Sequence, residues 1–448
     1  MPAGAMTCDI LNLEWSSSGR DREVASAICH TLRRRGHRVV EESIFNYRYF
    51  LLKHRPRLLY LADPGGARIN YEALLFATRL GIPCVSVDAE GNYSEGMVEQ
   101  TFWGVIPDRR LREQAKLQWS ARAREMVLAI APELEDRLKV TGAVGFDRYR
   151  FHPFASKDDW RKKYGFGHEH VVGYATWGFD SVYGTEDRVE RMAKVYGPEA
   201  IAQFRHDRDA VRDLLEALIR GRSETLFLLK EHPGVVDPAQ TEIAGLDRFD
   251  NVLRIKNEEP IGDCINVCDV WMAYESTTSI EAWLLDTPTL AINPSGTEFL
   301  SFNVGEGTPS LRTVEAVDGA LREYETKGRI AEFDAKAEGR RNVLADTLQW
   351  DDGKNHQRAA HYIEQLLREA PSRPARFPLR LRLAAHRQNL LFRSGRLVPF
   401  SRYAPARARF TSAQLAEVTR RVAAAIDSFD DSHPLSPEDL AELERLNG

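Results

Sequence analysis

Two short apolar runs, Val270–Ala273 and Thr289–Ile292, bracket a stretch that turns and then continues as a helix. Each run has the length of a buried parallel strand. Between them stand Glu275, Ser276, Thr277, Thr278 and Ser279, then the helical residues Ile280, Ala282, Trp283, Leu284 and Leu285. Asp286, Thr287 and Pro288 stop that helix. Unsatisfied N–H groups at a helix start, with Ser and Thr side chains around them, make a site for phosphate. One hydroxyl there would be an ordinary helix cap; four in succession favour the phosphate.

The same alternation runs through the first third of the chain. Residues 7–13 read as a strand, 14–20 as a polar loop, 22–35 as a helix closed by Gly36, and 38–40 as the start of the next strand. That order opens a doubly wound α/β domain. The loop after the first strand is where such sheets take ligands, so Glu14 and Arg20 are candidates, with a solvated loop as the alternative. Residues 57–61 form a strand, 63–66 a loop, 69–80 a helix and Cys84–Val87 a buried strand. The last runs straight into Asp88-Ala89-Glu90-Gly91. Carboxylates at the C-terminal mouth of a parallel strand are placed to take a proton from an acceptor hydroxyl. The alternative has Asp88 capping a helix and Glu90 in solvent. Phe102 and Trp103 read as core or cleft aromatics, 111–130 as one long helical stretch and 138–141 as a strand. A linker is expected between about 149 and 168.

The pattern then restarts. Residues 170–176 form a strand with Trp177 in its exit loop, followed by helices over 187–196 and 200–221. Asp207-Arg208-Asp209 falls inside the second of these and reads as surface rather than as a loop-borne metal site. The strand 225–229 leads directly into Lys230-Glu231-His232-Pro233-Gly234. Lys230 and His232 at a strand end can meet anionic oxygens while Pro233 and Gly234 fix the turn. A capping His beside a surface Lys is the alternative. Further strands and helices follow at 252–255, 261–267, 314–326, 330–344 and 355–367.

With 448 residues, 43% hydrophobic and 28% charged, the chain reads as a globular protein of two or three domains. The expected division is 1–155, a Rossmann-like acceptor-side domain; 156–345, a Rossmann-like nucleotide-sugar domain; 346–370, a crossover helix; and 371–448, a tail. No apolar run approaches the roughly 18 residues of a membrane span, and the N-terminus lacks a signal-peptide pattern; a cytoplasmic location is expected. The five cysteines are odd in number and scattered, as reduced thiols would be. Cys264 and Cys268 alone are too few for zinc, and no metal site is expected. Between Pro371 and Phe410 stand ten Arg and no Asp or Glu, interleaved with Leu and Phe. Segment 371–410 therefore reads as a basic amphipathic element. It either touches anionic lipid or glycan, peripherally at a membrane, or packs on the acidic body. A net charge of −5 gives no reason to expect nucleic acid.

Two doubly wound halves, a carboxylate at a strand end in the first, and a His-Pro with a Ser/Thr cluster in the second resemble a GT-B glycosyltransferase. More narrowly the chain resembles the bacterial surface-carbohydrate biosynthesis family, related to the Kdo transferases and bacterial sialyltransferases of capsule and lipopolysaccharide synthesis. The likeness spans roughly residues 7–365. It rests on Arg22-Glu23, Asp88-Ala89-Glu90-Gly91, Thr141-Gly142 through Phe146-Asp147, Lys230-Glu231-His232-Pro233 and Glu275 through Ala282. It implies two domains facing a cleft, with a helical basic tail outside the resemblance. It also implies inverting, metal-independent transfer of a sugar, such as a CMP-activated Kdo- or sialic-acid-like one, to a glycan or lipid-linked acceptor. The nucleotide sugar is then a co-substrate, and no further cofactor is expected. By the resemblance the base falls on Glu90 or Asp88, although Ala89 interrupts the acidic pair. The donor phosphate falls to His232, Ser276 and Thr277, with Thr278 and Ser279 beside them. Three alternatives stand: a sugar-nucleotide epimerase of the same fold, a CDP-glycerol- or ribitol-type phosphotransferase, and a non-catalytic sugar-nucleotide-binding protein.

Overall fold

The structure, a computed structural model, describes residues 8–17, 19–88, 90–256, 258–274, 276–297, 303–371, 377–398, 400–401 and 403–448. It divides into two compact units, Met1–His152 with Ala345–Gly448, and Pro153–Leu344.

The first unit is built on six parallel strands: β1 (Ile10–Glu14), β2 (Val39–Ser43), β3 (Leu58–Ala62), β4 (Cys84–Val87), β5 (Ala115–Gln118) and β6 (Leu138–Val140), in the order β2-β1-β3-β4-β5-β6. Both faces are covered, so alternate side chains enter two different cores. Leu11, Leu13, Leu59 and Leu61 pack with the helices Tyr47–His54 and Arg68–Arg79. Ile10, Tyr60, Val85 and Leu117 pack under Arg20–Arg34 and Asn355–Glu369. The strand order reverses direction between β1 and β3, where a parallel α/β sheet opens a crevice at its carboxyl ends.

The segment 111–130 is not one helix. It is β5, followed by a helix Ala121–Ile130 whose cap Ser120 accepts from the Ala123 N–H at 3.2 Å. All four residues of β5 are buried, including Lys116 and Gln118. Buried polar side chains gave the strand the look of a charged helix.

The chain returns to this unit after the second. The helix Ser412–Ser432 is tied to the first unit through His356, whose ring nitrogens bond Asp147 Oδ2 at 2.8 Å and Asp430 Oδ1 at 2.9 Å. Asn447 borders the β6 edge as a strand would: its Oδ1 accepts from Val140 N–H at 2.6 Å and its Nδ2 donates to Val140 O at 2.9 Å. Sheet edges left open invite other chains.

The second unit repeats the design with β7 (His170–Ala175), β8 (Thr225–Lys230), β9 (Val252–Ile255), β10 (Val270–Ala273), β11 (Thr289–Ile292) and β12 (Ser310–Leu311), ordered β12-β11-β10-β7-β8-β9 and all parallel. Its switch point lies between β7 and β10, the arrangement of a dinucleotide-binding sheet. Asp207 is not a surface residue: it is fully buried and accepts from Tyr274 Oη at 2.9 Å, Gln203 Nε2 at 2.8 Å and Thr297 Oγ1 at 3.1 Å. Its carboxylate ties the helix Pro198–Gly221 to the end of β10. The helix expected over 330–344 is two, Ala331–Ala335 and Ala337–Leu348. All five cysteines are buried free thiols.

Candidate active site

In the first unit the ends of β1, β3, β4 and β5 converge on a pocket open to solvent, lined by Glu14, Arg20, Asp21, Tyr60, Asp88 and Trp119 among others. The pocket lies at the β1/β3 switch point, where the strand order places a ligand crevice. Three of the sequence candidates, Glu14, Arg20 and Asp88, meet there.

Asp88 sits one residue beyond β4 and is almost fully enclosed. Lys116 on β5 places its Nζ 3.1 Å from Asp88 Oδ1 and 2.8 Å from Asp63 Oδ1. The same ammonium lies 4.3 Å from the Phe102 ring centroid, on an electron-rich face. Tyr93 Oη donates to the other Asp88 oxygen, Oδ2. Burial disfavours the Asp88 charge and carries its pKa up to about 6, while Lys116 pulls the other way. For Lys116 itself burial favours loss of the proton, but Asp63 and Asp88 outweigh it and hold the ammonium charged. The result is a carboxyl poised just below neutrality, a useful place for a group that exchanges protons at neutral pH.

Glu14 ends β1 and is also buried. Desolvation raises its pKa to about 7, against the nearby Arg22 and a hydrogen bond from Asn12 Nδ2 at 3.1 Å. Arg22 is fully buried and bonds Asn12 Oδ1 at 3.3 Å and the Glu41 carboxylate. A closed polar layer therefore underlies Glu14.

Trp119 forms the aromatic wall. Its Nε1 donates to the Asp88 carbonyl at 2.8 Å. Gly91 makes room for it: a Cβ at 91 would lie 2.2 Å from Trp119 Cγ. Glu90 stands further out, its side chain 63% exposed, and accepts from Arg20 Nη2 at 2.6 Å.

In the second unit, His232 is exposed just beyond β8. Gly234 N–H donates to its Nδ1 at 3.0 Å, which makes Nε2 the N–H-bearing nitrogen of the neutral ring. Its own N–H donates to Thr176 Oγ1, at the end of β7, at 2.6 Å. The ring rests against Gly178, whose φ of +84° belongs to glycine and whose absent Cβ would fall 3.2 Å from Nδ1. Pro233 and Gly234 are exposed in the turn. Lys230 is buried and its ammonium donates to the Lys256 carbonyl; desolvation lowers its pKa.

Ser276 Oγ accepts from Thr278 N–H at 3.2 Å and from Thr278 Oγ1 at 3.1 Å, and Thr278 Oγ1 accepts from Trp271 Nε1 at 3.1 Å. Ser276 and Thr277 are half-buried and Ser279 is in the core. The helix they begin, Thr278–Trp283, is short. Glu275 lies outside the described residues. Trp177 is half-buried, its ring 5.1 Å from that of Phe204, and its N–H donates to the buried Glu242 at 2.8 Å. Burial lifts Glu242 to about 7. His232 follows β8 and Ser276 follows β10, so the two stand on either side of β7 at the switch point.

Sequence reasoning missed Lys116, Trp119 and Tyr93. The one signal was a lysine and a glutamine alternating with Ala115 and Leu117 between two polar turns, a strand period hidden in a charged stretch.

Comparison with protein-family models and with curated proteins finds no match. Solved structures do match. A Listeria monocytogenes protein assigned as a UDP-N-acetylglucosamine 2-epimerase aligns with a TM-score of 0.53 at 10% identity, over 83% of this chain and 100% of its own. MnaA of S. aureus with UDP aligns at 0.52 and 12%, over 83% and 100%. The UDP-GlcNAc 2-epimerase of Neisseria meningitidis bound to UDP-GlcNAc aligns at 0.52 and 13%, over 80% and 100%. At such identities the likeness is one of fold: an α/β protein of two doubly wound parallel sheets, of the GT-B type.

Proposed function

We propose that this protein is an enzyme acting on a sugar nucleotide, and that it transfers the sugar with inversion to a hydroxyl acceptor. The observation that carries the reading is the first unit's pocket, where Asp88, held by Lys116 and tuned to about 6, lines the same wall as Trp119. An aromatic face and convergent carboxyls are what a sugar acceptor requires: apolar CH groups to cover and hydroxyls to accept from. Asp88 is the proton acceptor in this reading, and Glu90 serves at the rim with Arg20. In the second unit the Nε2–H of His232, with Ser276 and Thr277, serves the donor phosphates and stabilises charge on the leaving group. The sugar-nucleotide class draws support from solved structures of like fold holding UDP and UDP-GlcNAc, support that fold alone does not convert into activity. A surface glycan or lipid-linked sugar, and a CMP-activated donor, remain part of the proposal.

Epimerisation is the second reading, because one observation favours it. Two carboxyls, Asp88 at about 6 and Glu14 at about 7, line one pocket, and removing and returning a proton on opposite faces needs two such groups. The readings part on one experiment. The protein is incubated with CMP-, UDP- and GDP-sugars, each with and without a mixture of glycan acceptors, and products are separated by chromatography. Transfer releases nucleotide faster when acceptor is present and leaves the donor's configuration unchanged. A new sugar-nucleotide epimer without acceptor establishes the second reading, and no change under any condition refutes both.

A further inference from the structure

The helix Leu379–Gly395 has two faces of different character. One packs on the first unit through Ala385, Gln388 and Phe392, with Gln388 Oε1 accepting from Arg48 N–H at 2.9 Å and Asn389 Oδ1 accepting from Asn46 Nδ2 at 3.0 Å. No carboxylate takes part in these contacts. The other face points to solvent and is apolar along its middle: Leu379 is 73% exposed, Leu383 62% and Leu390 69%. At 3.6 residues per turn these three fall within about 40° of one another. Exposed arginines flank them, Arg380 and Arg387 on one side, Arg382 and Arg393 on the other. The apolar strip continues past the helix through Leu397, 70% exposed, and Phe400, 99% exposed. Such a run of large apolar side chains in water is uncommon on a protein surface without a partner.

We infer that this face docks on the surface of an anionic phospholipid bilayer. The leucines and Phe400 enter the acyl boundary while the arginines extend to lipid phosphates, the geometry of an interfacial helix. Charge selects the partner. A second copy of the chain would set rows of arginine against rows of arginine, whereas an anionic lipid surface satisfies both rows at once. No helix among the described residues is long and apolar enough to cross a membrane, so the contact is one of surface binding. It does not depend on the reaction the protein catalyses.

The full chain is sedimented with vesicles of phosphatidylcholine alone and of phosphatidylcholine with phosphatidylglycerol in equal parts, at low and high salt. Binding to the anionic vesicles is expected, weakening with salt, and at least about tenfold stronger than to the neutral ones. Leu383→Ser with Leu390→Ser, and separately Arg387→Glu with Arg393→Glu, each lower that binding by about tenfold or more while leaving the melting temperature unchanged. Equal binding to both vesicle types, binding to neither, or wild-type binding by both double variants would overturn the inference. So would a dimer in sedimentation velocity that the leucine variant dissociates, which would assign the face to a second copy.

Discussion

Lys116 and Asp88 meet 3.1 Å apart, Nζ to Oδ1, with both side chains closed off from solvent. The ammonium also lies 2.8 Å from Asp63 Oδ1, and its charge opposes the desolvation that raises the Asp88 pKa. Replacing one member of such a cluster leaves an uncompensated buried charge. Lys116→Met should therefore cost about 3–5 kcal/mol in urea unfolding. Desolvation of Asp88 is then less opposed, so its pKa rises above 6 and the acid limb of any activity moves to higher pH. Adding Asp88→Asn to Lys116→Met should recover part of the lost stability; no recovery would mean that the two residues are not energetically coupled.

Gly91→Ala tests the wall of the pocket. The new Cβ falls onto the Trp119 ring, so the ring or the backbone at 91 must shift. A loss of about 1–3 kcal/mol in stability is expected, together with a raised KM for the acceptor. A variant with wild-type melting and kinetics would show that Trp119 plays no part in binding.

His356 predicts a pH dependence that lies in the architecture rather than the active site. Burial alone would lower its pKa, but hydrogen bonds from its two nitrogens to Asp147 and Asp430 outweigh that and hold it at about 9. A folded pKa above the unfolded value of about 6.5 means stabilisation fully present below pH 6.5 and lost as pH rises through 9. Melting temperature should fall across that window, and His356→Gln should flatten the fall while losing on the order of 2–3 kcal/mol at pH 6. An unchanged slope in the variant would assign the pH dependence to other groups.

The strands were legible wherever they were apolar. Cys84–Val87, Val270–Ala273 and Thr289–Ile292 have the same bounds in the sequence reading and in the structure, because a buried parallel strand needs only a short run of Val, Ile, Leu or Ala between turns. β5 was not legible, since it carries Lys116 and Gln118 into the interior and the partners of Lys116, Asp63 and Asp88, stand more than twenty positions away. Asp207 failed for the same reason: its partners Tyr274 and Thr297 belong to the far side of the unit's sequence. The pocket was half legible. Position after a strand identified Glu14 and Asp88, but nothing local distinguishes Asp88, enclosed and held by lysine, from Glu90, exposed two residues on. Burial decides that, and burial is a property of the whole fold. In the tail, the arginine-rich composition was plain, whereas which leucines face outward depends on where the helix docks.

Turnover of a sugar nucleotide by Asp88→Asn, beside Glu90→Gln, tests the central claim most directly. Asparagine keeps the size of the side chain and can still bond Tyr93 or Lys116, but it cannot take up a proton. The account predicts that Asp88→Asn lowers kcat by roughly 10²–10⁴-fold while nucleotide binding stays within a few-fold. Glu90→Gln is predicted to keep most of its activity, and the wild-type kcat/KM to fall as pH drops through about 6. Near-wild-type turnover by Asp88→Asn, with no acid limb close to 6, would contradict it.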